Sequence, residues 1–161
     1  MNIDDAAAAI EALGLPVNRA EGARATDPGL ANTVSEVNPS GPVQPGTTIT
    51  LTYLLEPETP ATPSDPPTVD PDDPEASNSA QSITVSWQVQ GCPAGQTLSG
   101  YEVTATNGAT PATSVIPASS TQTAIQIPAN AAAGTTFEVS YSYFCGALSS
   151  AKSPTATITV Q

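Results

Sequence analysis

Apolar and polar residues alternate one by one along much of the C-terminal half of the chain. In Ile83-Thr84-Val85-Ser86-Trp87-Gln88-Val89 the side chains of Ile83, Val85, Trp87 and Val89 share one face, and Thr84, Ser86 and Gln88 the other. Alternation of period two in β-branched and aromatic residues predicts a half-buried strand. Trp87 is the only Trp. A Trp can bury roughly 200 Å², so it is the expected anchor of a core. The same pattern returns in Leu98 to Ala105, with Tyr101, Val103 and Ala105 inward, and in Thr123 to Ile127. It returns again in Phe137 to Phe144, with Phe137, Val139, Tyr141 and Tyr143 inward, and in Thr155 to Val160. Asn107-Gly108 is a hairpin signal after the second of these strands. Several short alternating strands divided by turns predict an all-β immunoglobulin-like sandwich over residues 81–161.

The N-terminal stretch has a different period. Asp4 to Gly14 reads as a short helix, capped by Asn2 or Asp4 and stopped at Gly14, with Ala6, Ala9 or Ile10, and Leu13 on its packed face. Asp4 and Asp5 fall in the first turn, where the helix dipole favours acids. A helix this short needs something to pack on. Strands are predicted over residues 15–19, 32–37 and 48–53, the last with Ile49, Leu51 and Tyr53 on one face. Turn clusters at Asn38-Pro39-Ser40-Gly41 and Gln44-Pro45-Gly46 separate the last two. The expectation is a small α+β domain at residues 1–55, one helix on an antiparallel sheet.

Between the two patterned regions, residues 56–80 hold seven Pro and seven acids with no base. Such a stretch reads as an extended, semi-rigid linker. Asp70, Asp72 and Asp73 offer clustered carboxylates for calcium, but prolines interrupt them and the glycine and final Glu of a calcium loop are absent. The preferred reading is a solvated spacer with no metal.

Charge and composition exclude several functions. The chain of 161 residues has net charge −12, with three cations and no His. Neutralising phosphates takes Lys and Arg, so no nucleic-acid partner is expected, and docking on anionic lipid is disfavoured on the same ground. Without His, the usual general base and the Ser–His and Cys–His pairs are missing. No phosphate-cradling loop occurs, and we expect no catalytic residue and no cofactor. No apolar run approaches the ~20 residues of a membrane span. Met1-Asn2-Ile3-Asp4 lacks the basic start of a secretory signal, so an extracellular protein would be expected here as a piece of a longer chain.

Residues 3–55 resemble a PASTA domain. The matching residues are Ala7, Leu13, Gly14, Leu15, Val34, Pro39, Gly41, Gly46, Ile49 and Leu51. The family's opening Val-Pro strand is missing, which would leave a sheet edge open to another chain. Residues 81–161 resemble a fibronectin type III domain through Trp87, the run Leu98-Ser99-Gly100-Tyr101-Glu102-Val103, and Gly134-Thr135-Thr136-Phe137-Glu138-Val139. Its first strand comes from residues 66–71 or 76–82, and Phe137 stands where the family usually has Tyr.

The two resemblances imply sites. On count alone, Cys92 and Cys145 allow a disulfide or two unrelated thiols. The type III topology places both at one pole, which implies a Cys92–Cys145 bridge and an oxidising compartment. The structural core is expected to hold Trp87, Tyr101, Val103, Phe137, Val139 and Tyr141. For the PASTA-like module the implied ligand is a peptidoglycan fragment, whose stem-peptide carboxylates Arg19 or Arg24 would bind; a protein partner is the other possibility. The resemblance implies a monomeric, non-catalytic sensor on the extracellular face of a bacterial cell. It would belong to a Ser/Thr protein kinase and be tethered by a membrane span elsewhere in that protein. The alternatives are the C-terminal tail of a penicillin-binding protein, or an adhesion module whose type III domain holds a host protein.

Overall fold

The structure, a computed structural model, describes residues 1–70 and 82–160. The chain forms two compact units, Met1–Glu58 and Thr59–Gln161.

In the first unit, helix α1 (Ile3–Glu11) begins at Asn2, whose side-chain oxygen accepts the Asp4 N–H at 2.8 Å. That satisfies one of the orphan amides of the first turn. Ile3, Ala6 and Ala7 are buried with Ile10 partly so, the spacing of one helix face. Leu13, expected on this face, is 76% exposed. The helix already ends at Glu11, and Gly14 at φ +77° turns the chain away, so Leu13 lies beyond the last packed turn. Ala9, the other option for the packed face, is exposed. Strands β1 (Val17–Arg24), β2 (Val34–Asn38) and β3 (Ile49–Leu55) make a sheet of order β1-β3-β2. The sheet is mixed, not antiparallel: β2 runs antiparallel to β3, but β1 runs parallel to it from Val17 opposite Ile49 to Glu21 opposite Tyr53. The chain crosses from one edge to the other between β1 and β2, through a single 3-10 turn at Pro28–Leu30, so both outer strands flank β3. Ile49 and Leu51 on β3 form the floor under the helix.

The second unit is a two-sheet sandwich. Strands β4 (Thr68–Val69), β5 (Ser82–Ser86), β9 (Gln122–Gln126) and β7 (Thr110–Pro111) form one sheet in the order β4-β5-β9-β7. The other has β11 (Leu148–Ser149), β10 (Thr136–Cys145), β6 (Leu98–Ala105) and β8 (Val115–Pro117) in the order β11-β10-β6-β8, with β12 (Ala156–Thr159) also paired to β10. Ile83, Val85, Trp87, Tyr101, Val103, Ile125, Phe137, Val139, Tyr141 and Ile158 fill the space between them. This is the fibronectin type III-like sandwich expected beside the α+β unit.

Several local expectations change. Val89, in phase with Trp87, is 70% exposed, because β5 ends at Ser86 and the alternation lapses beyond Trp87. Asn107 (φ +55°) and Gly108 (φ +84°) do form a tight turn. It is not a hairpin, however: the strand that follows, β7, pairs with β9 in the opposite sheet. The turn carries the chain from one sheet to the other. The first strand of the sandwich is β4, from the residue 66–71 option. Strands β8 and β11 lie outside every alternating run of the sequence.

The Pro- and acid-rich stretch also departs from a uniform spacer. Residues 59–70 belong to the second unit, and Pro60, Pro63 and Pro67 are buried there. β4 pairs with β5, and the Asp70 N–H donates to the Thr84 carbonyl at 3.1 Å. Residues 56–58 of the expected linker belong to the first unit; residues 71–80 lie outside the described residues, and with them Asp72 and Asp73 of the carboxylate cluster.

Candidate functional site

Two places carry chemistry beyond packing. The first is the cation pair of β1. Arg19 donates from Nη1 to Asp4 Oδ1 at 2.6 Å, with the two side chains 49% and 73% exposed. Arg24 donates from Nη1 to the Glu56 carbonyl at 3.1 Å, and Asn32 Nδ2 reaches Glu56 Oε1 at 3.5 Å. Arg19 lies opposite Leu51 and Arg24 opposite Leu55. Those partners are about 13 Å apart along β3 at ~3.3 Å per residue. The two guanidinium groups therefore offer separate anion contacts rather than one clamp. Arg19 is half exposed, and its partner Asp4 would compete with any incoming carboxylate.

The second is one pole of the sandwich. Cys92 and Cys145 are joined in a disulfide with Cα atoms 5.7 Å apart. The bond ties the turn after Trp87 to the end of β10. The loops at 91–97 and 146–153 meet there, with the Gly146 N–H donating to the Thr97 carbonyl at 2.9 Å. The second loop is stitched to β10 by serines. The Ser150 Oγ accepts the Tyr143 N–H at 3.0 Å and the Ser153 Oγ accepts the Tyr141 N–H at 3.1 Å. Their own amides donate back to the Tyr143 and Tyr141 carbonyls. Both serines are buried. Between them Lys152, the only cation of this unit, is exposed.

Beneath the pole is an aromatic group. The Trp87 ring lies 5.4 Å from Tyr141, nearly stacked, and 5.3 Å from Tyr101, tilted. Gln90 closes over it, its backbone N–H donating to the Tyr101 hydroxyl at 3.2 Å and its Nε2 to the Tyr141 hydroxyl at 3.0 Å. The Tyr143 hydroxyl donates to the Gly91 carbonyl at 3.4 Å. Burial pushes the Tyr141 pKa above its ordinary value, and the carboxylate of Asp65 adds to the rise. Tyr143 is raised by burial too, with a hydrogen bond from the Ala61 backbone pulling the other way. Ala61 therefore lies beside Tyr143, and Asp65 near Tyr141. Sequence reasoning missed them by treating residues 56–80 as one solvated spacer. A partial signal existed: Pro57, Pro60 and Pro63 recur every three residues, the repeat that puts prolines on one edge of a polyproline-type segment, although the buried set continues at Pro67 and leaves Pro66 exposed.

All six residues expected in the core are buried: Trp87, Tyr101, Val103, Phe137, Val139 and Tyr141. Among the described residues no group of His, Cys, Asp and Glu is arranged to hold a metal ion, and no helix is long and apolar enough to cross a membrane.

The PASTA domain family matches residues 1–53, so the first unit carries a PASTA domain. No curated protein matches the chain. Among solved structures, one similar to it holds the FN1–FN3 domains of chicken CNTN1. The identity is 17% and the TM-score 0.43, over 73% of this chain and 38% of that one. Another is the entire extracellular region of the Ser/Thr kinase PrkC from Staphylococcus aureus, at 17% identity and TM-score 0.31, over 98% of this chain and 48% of that one. The chain thus spans less than half the length of either.

Proposed function

We propose that this chain is a non-catalytic binding region on the extracellular face of a bacterial cell, part of a transmembrane Ser/Thr protein kinase. Its PASTA domain takes peptidoglycan fragments, and the disulfide-tied pole of its sandwich meets a protein partner. The observation that carries the reading is the PASTA match at residues 1–53, joined in one chain to a sandwich with a disulfide. A disulfide supports an oxidising compartment.

In the PASTA domain the stem-peptide carboxylate would be received by Arg19, whose guanidinium is half exposed. The domain's acids Asp4, Asp5, Glu11, Glu21, Asp27 and Glu36 outnumber its two arginines, so long-range steering opposes an anionic ligand and binding is weak. Titration of purified muropeptide into the whole chain tests the reading. Arg19→Ala should remove about 1.5–3 kcal/mol of binding, the range of a hydrogen bond to a charged group. Asp4→Ala should tighten binding by freeing the guanidinium. Unchanged affinity in both variants would dismiss Arg19 as the receptor.

The pole supports a second activity, protein contact, because the loops at 91–97 and 146–153 are held together there. Replacing both loops with Gly-Ser spacers while keeping Cys92 and Cys145 should abolish capture of a surface partner.

A further inference from the structure

We propose that β1 is a self-complementary docking edge on which a second copy of this chain adds its own β1, antiparallel, to make a two-fold dimer. The monomer expected from the sequence would then be the dilute state of the protein.

β1 is an outer strand of its sheet, eight residues long, and contains no proline. Unpaired strands of that length usually carry protection. The sandwich strands show it: β7 contains Pro111, β8 contains Pro117, and β4 is two residues long. The other outer strand of the PASTA sheet is partly covered, because the Val34 N–H donates to the Met1 carbonyl at 2.9 Å and Asn2 bridges Thr33. Among the described residues no strand pairs with the outer side of β1.

The backbone geometry selects which groups are on offer. The Ile49 N–H donates to the Pro16 carbonyl at 2.8 Å. Parallel pairing alternates, so Asn18 and Ala20 turn their backbone N–H and C=O groups toward β3, while Val17, Arg19 and Glu21 turn theirs outward. The ladder is regular from Val17 to Glu21 and shifts register only after it.

The side chains then choose the occupant. About a two-fold axis at Ala20, antiparallel pairing puts Arg19 opposite Glu21 of the second copy, and Glu21 opposite its Arg19. Ala20 meets Ala20, a small residue at the closest point, and Asn18 meets Gly22. Opposite charges directly across a ladder are favourable, and like charges are not. Both charged pairs also use outward-facing backbone, so each can exchange its two ladder bonds. A two-fold contact requires a surface that matches itself, and the order Arg19, Ala20, Glu21 supplies one. Arg19 stays on the face it already shares with Asp4, which leaves its guanidinium held beside the sheet rather than free in solution.

Sedimentation velocity on the whole chain over a wide concentration range should show a reversible dimer. Glu21→Arg alone and Arg19→Glu alone each set like charges opposite one another twice, and each should weaken self-association by about tenfold or more. Mixed in equal amounts, the two variants set the paired carboxylates of one chain against the paired guanidinium groups of the other, and association should return. A covalent check does not depend on those charges. Cys92 and Cys145 are bonded and no other thiol exists among the described residues. Ala20→Cys should therefore give a disulfide-linked dimer on mild oxidation, from the close non-hydrogen-bonded position at the axis. A chain that stays monomeric at every concentration, and whose Ala20→Cys variant fails to cross-link, overturns the proposal. So does a dimer indifferent to both charge variants.

Discussion

Gly100 shows how much a single position can decide. A Cβ there would sit 2.6 Å from the Ile116 carbonyl oxygen, so β6 and β8 come together only because position 100 has no side chain. Gly100→Ala should cost about 1–3 kcal/mol, the usual range for overpacking, read as a lower urea midpoint with an unchanged slope. Tyr141 makes a different prediction. Its folded pKa is raised, so its contribution to stability is complete below the unfolded value of 10.0 and is lost as pH rises through the higher folded value. Unfolding free energy should therefore be insensitive to this group at neutral pH and fall in alkali. Tyr141→Phe should soften that alkaline fall, with loss of the Gln90 hydrogen bond.

At the level of elements, the serine-stitched segment after β11 replaces a regular strand with side-chain bonds. Ser150 and Ser153 each accept a buried amide of β10. Removing either oxygen leaves that N–H without this partner, and Ser150→Ala or Ser153→Ala should cost about 1–3 kcal/mol. Amide exchange at Tyr143 should speed up in the first variant and at Tyr141 in the second, which separates this cause from general loosening. The alternation of β10 was legible because Phe137, Val139, Tyr141 and Tyr143 face one core. The burial of Ser140 and Ser142 on its other face was not. Small hydroxyl residues look the same in a sequence whether water or another segment covers them; here the Thr104 hydroxyl on the neighbouring β6 lies 3.1 Å from the Ser140 hydroxyl.

For the whole molecule, the disulfide closes a separation of 53 residues. The chain-entropy view assigns such a loop about 4 kcal/mol, so Cys92→Ala with Cys145→Ala should lower sandwich stability by roughly that amount. The PASTA unit's own transition should not move. Truncation tests the unit boundary. A chain beginning at Thr59 retains β4 and the buried Pro60, Pro63 and Pro67; one beginning after Asp70 loses them and should melt lower.

Residue order alone determined the two periods, helical near the N-terminus and strand-like after residue 80, because burying one face of an element imposes a spacing on its apolar side chains. It also determined the core of the sandwich, where an aromatic-poor chain has few large residues with which to fill the space. Tertiary structure decided what depends on a distant neighbour. β1 became parallel to β3 because the chain crosses the sheet between β1 and β2. The Asn107-Gly108 turn switched sheets because its following strand found β9. Prolines that suit a solvated spacer equally well became buried because the segment that carries them packs into the second unit, where the Ala61 backbone bonds to Tyr143 and Asp65 lies near Tyr141. Local composition encodes none of these, since each is set by which segment arrives on the other side.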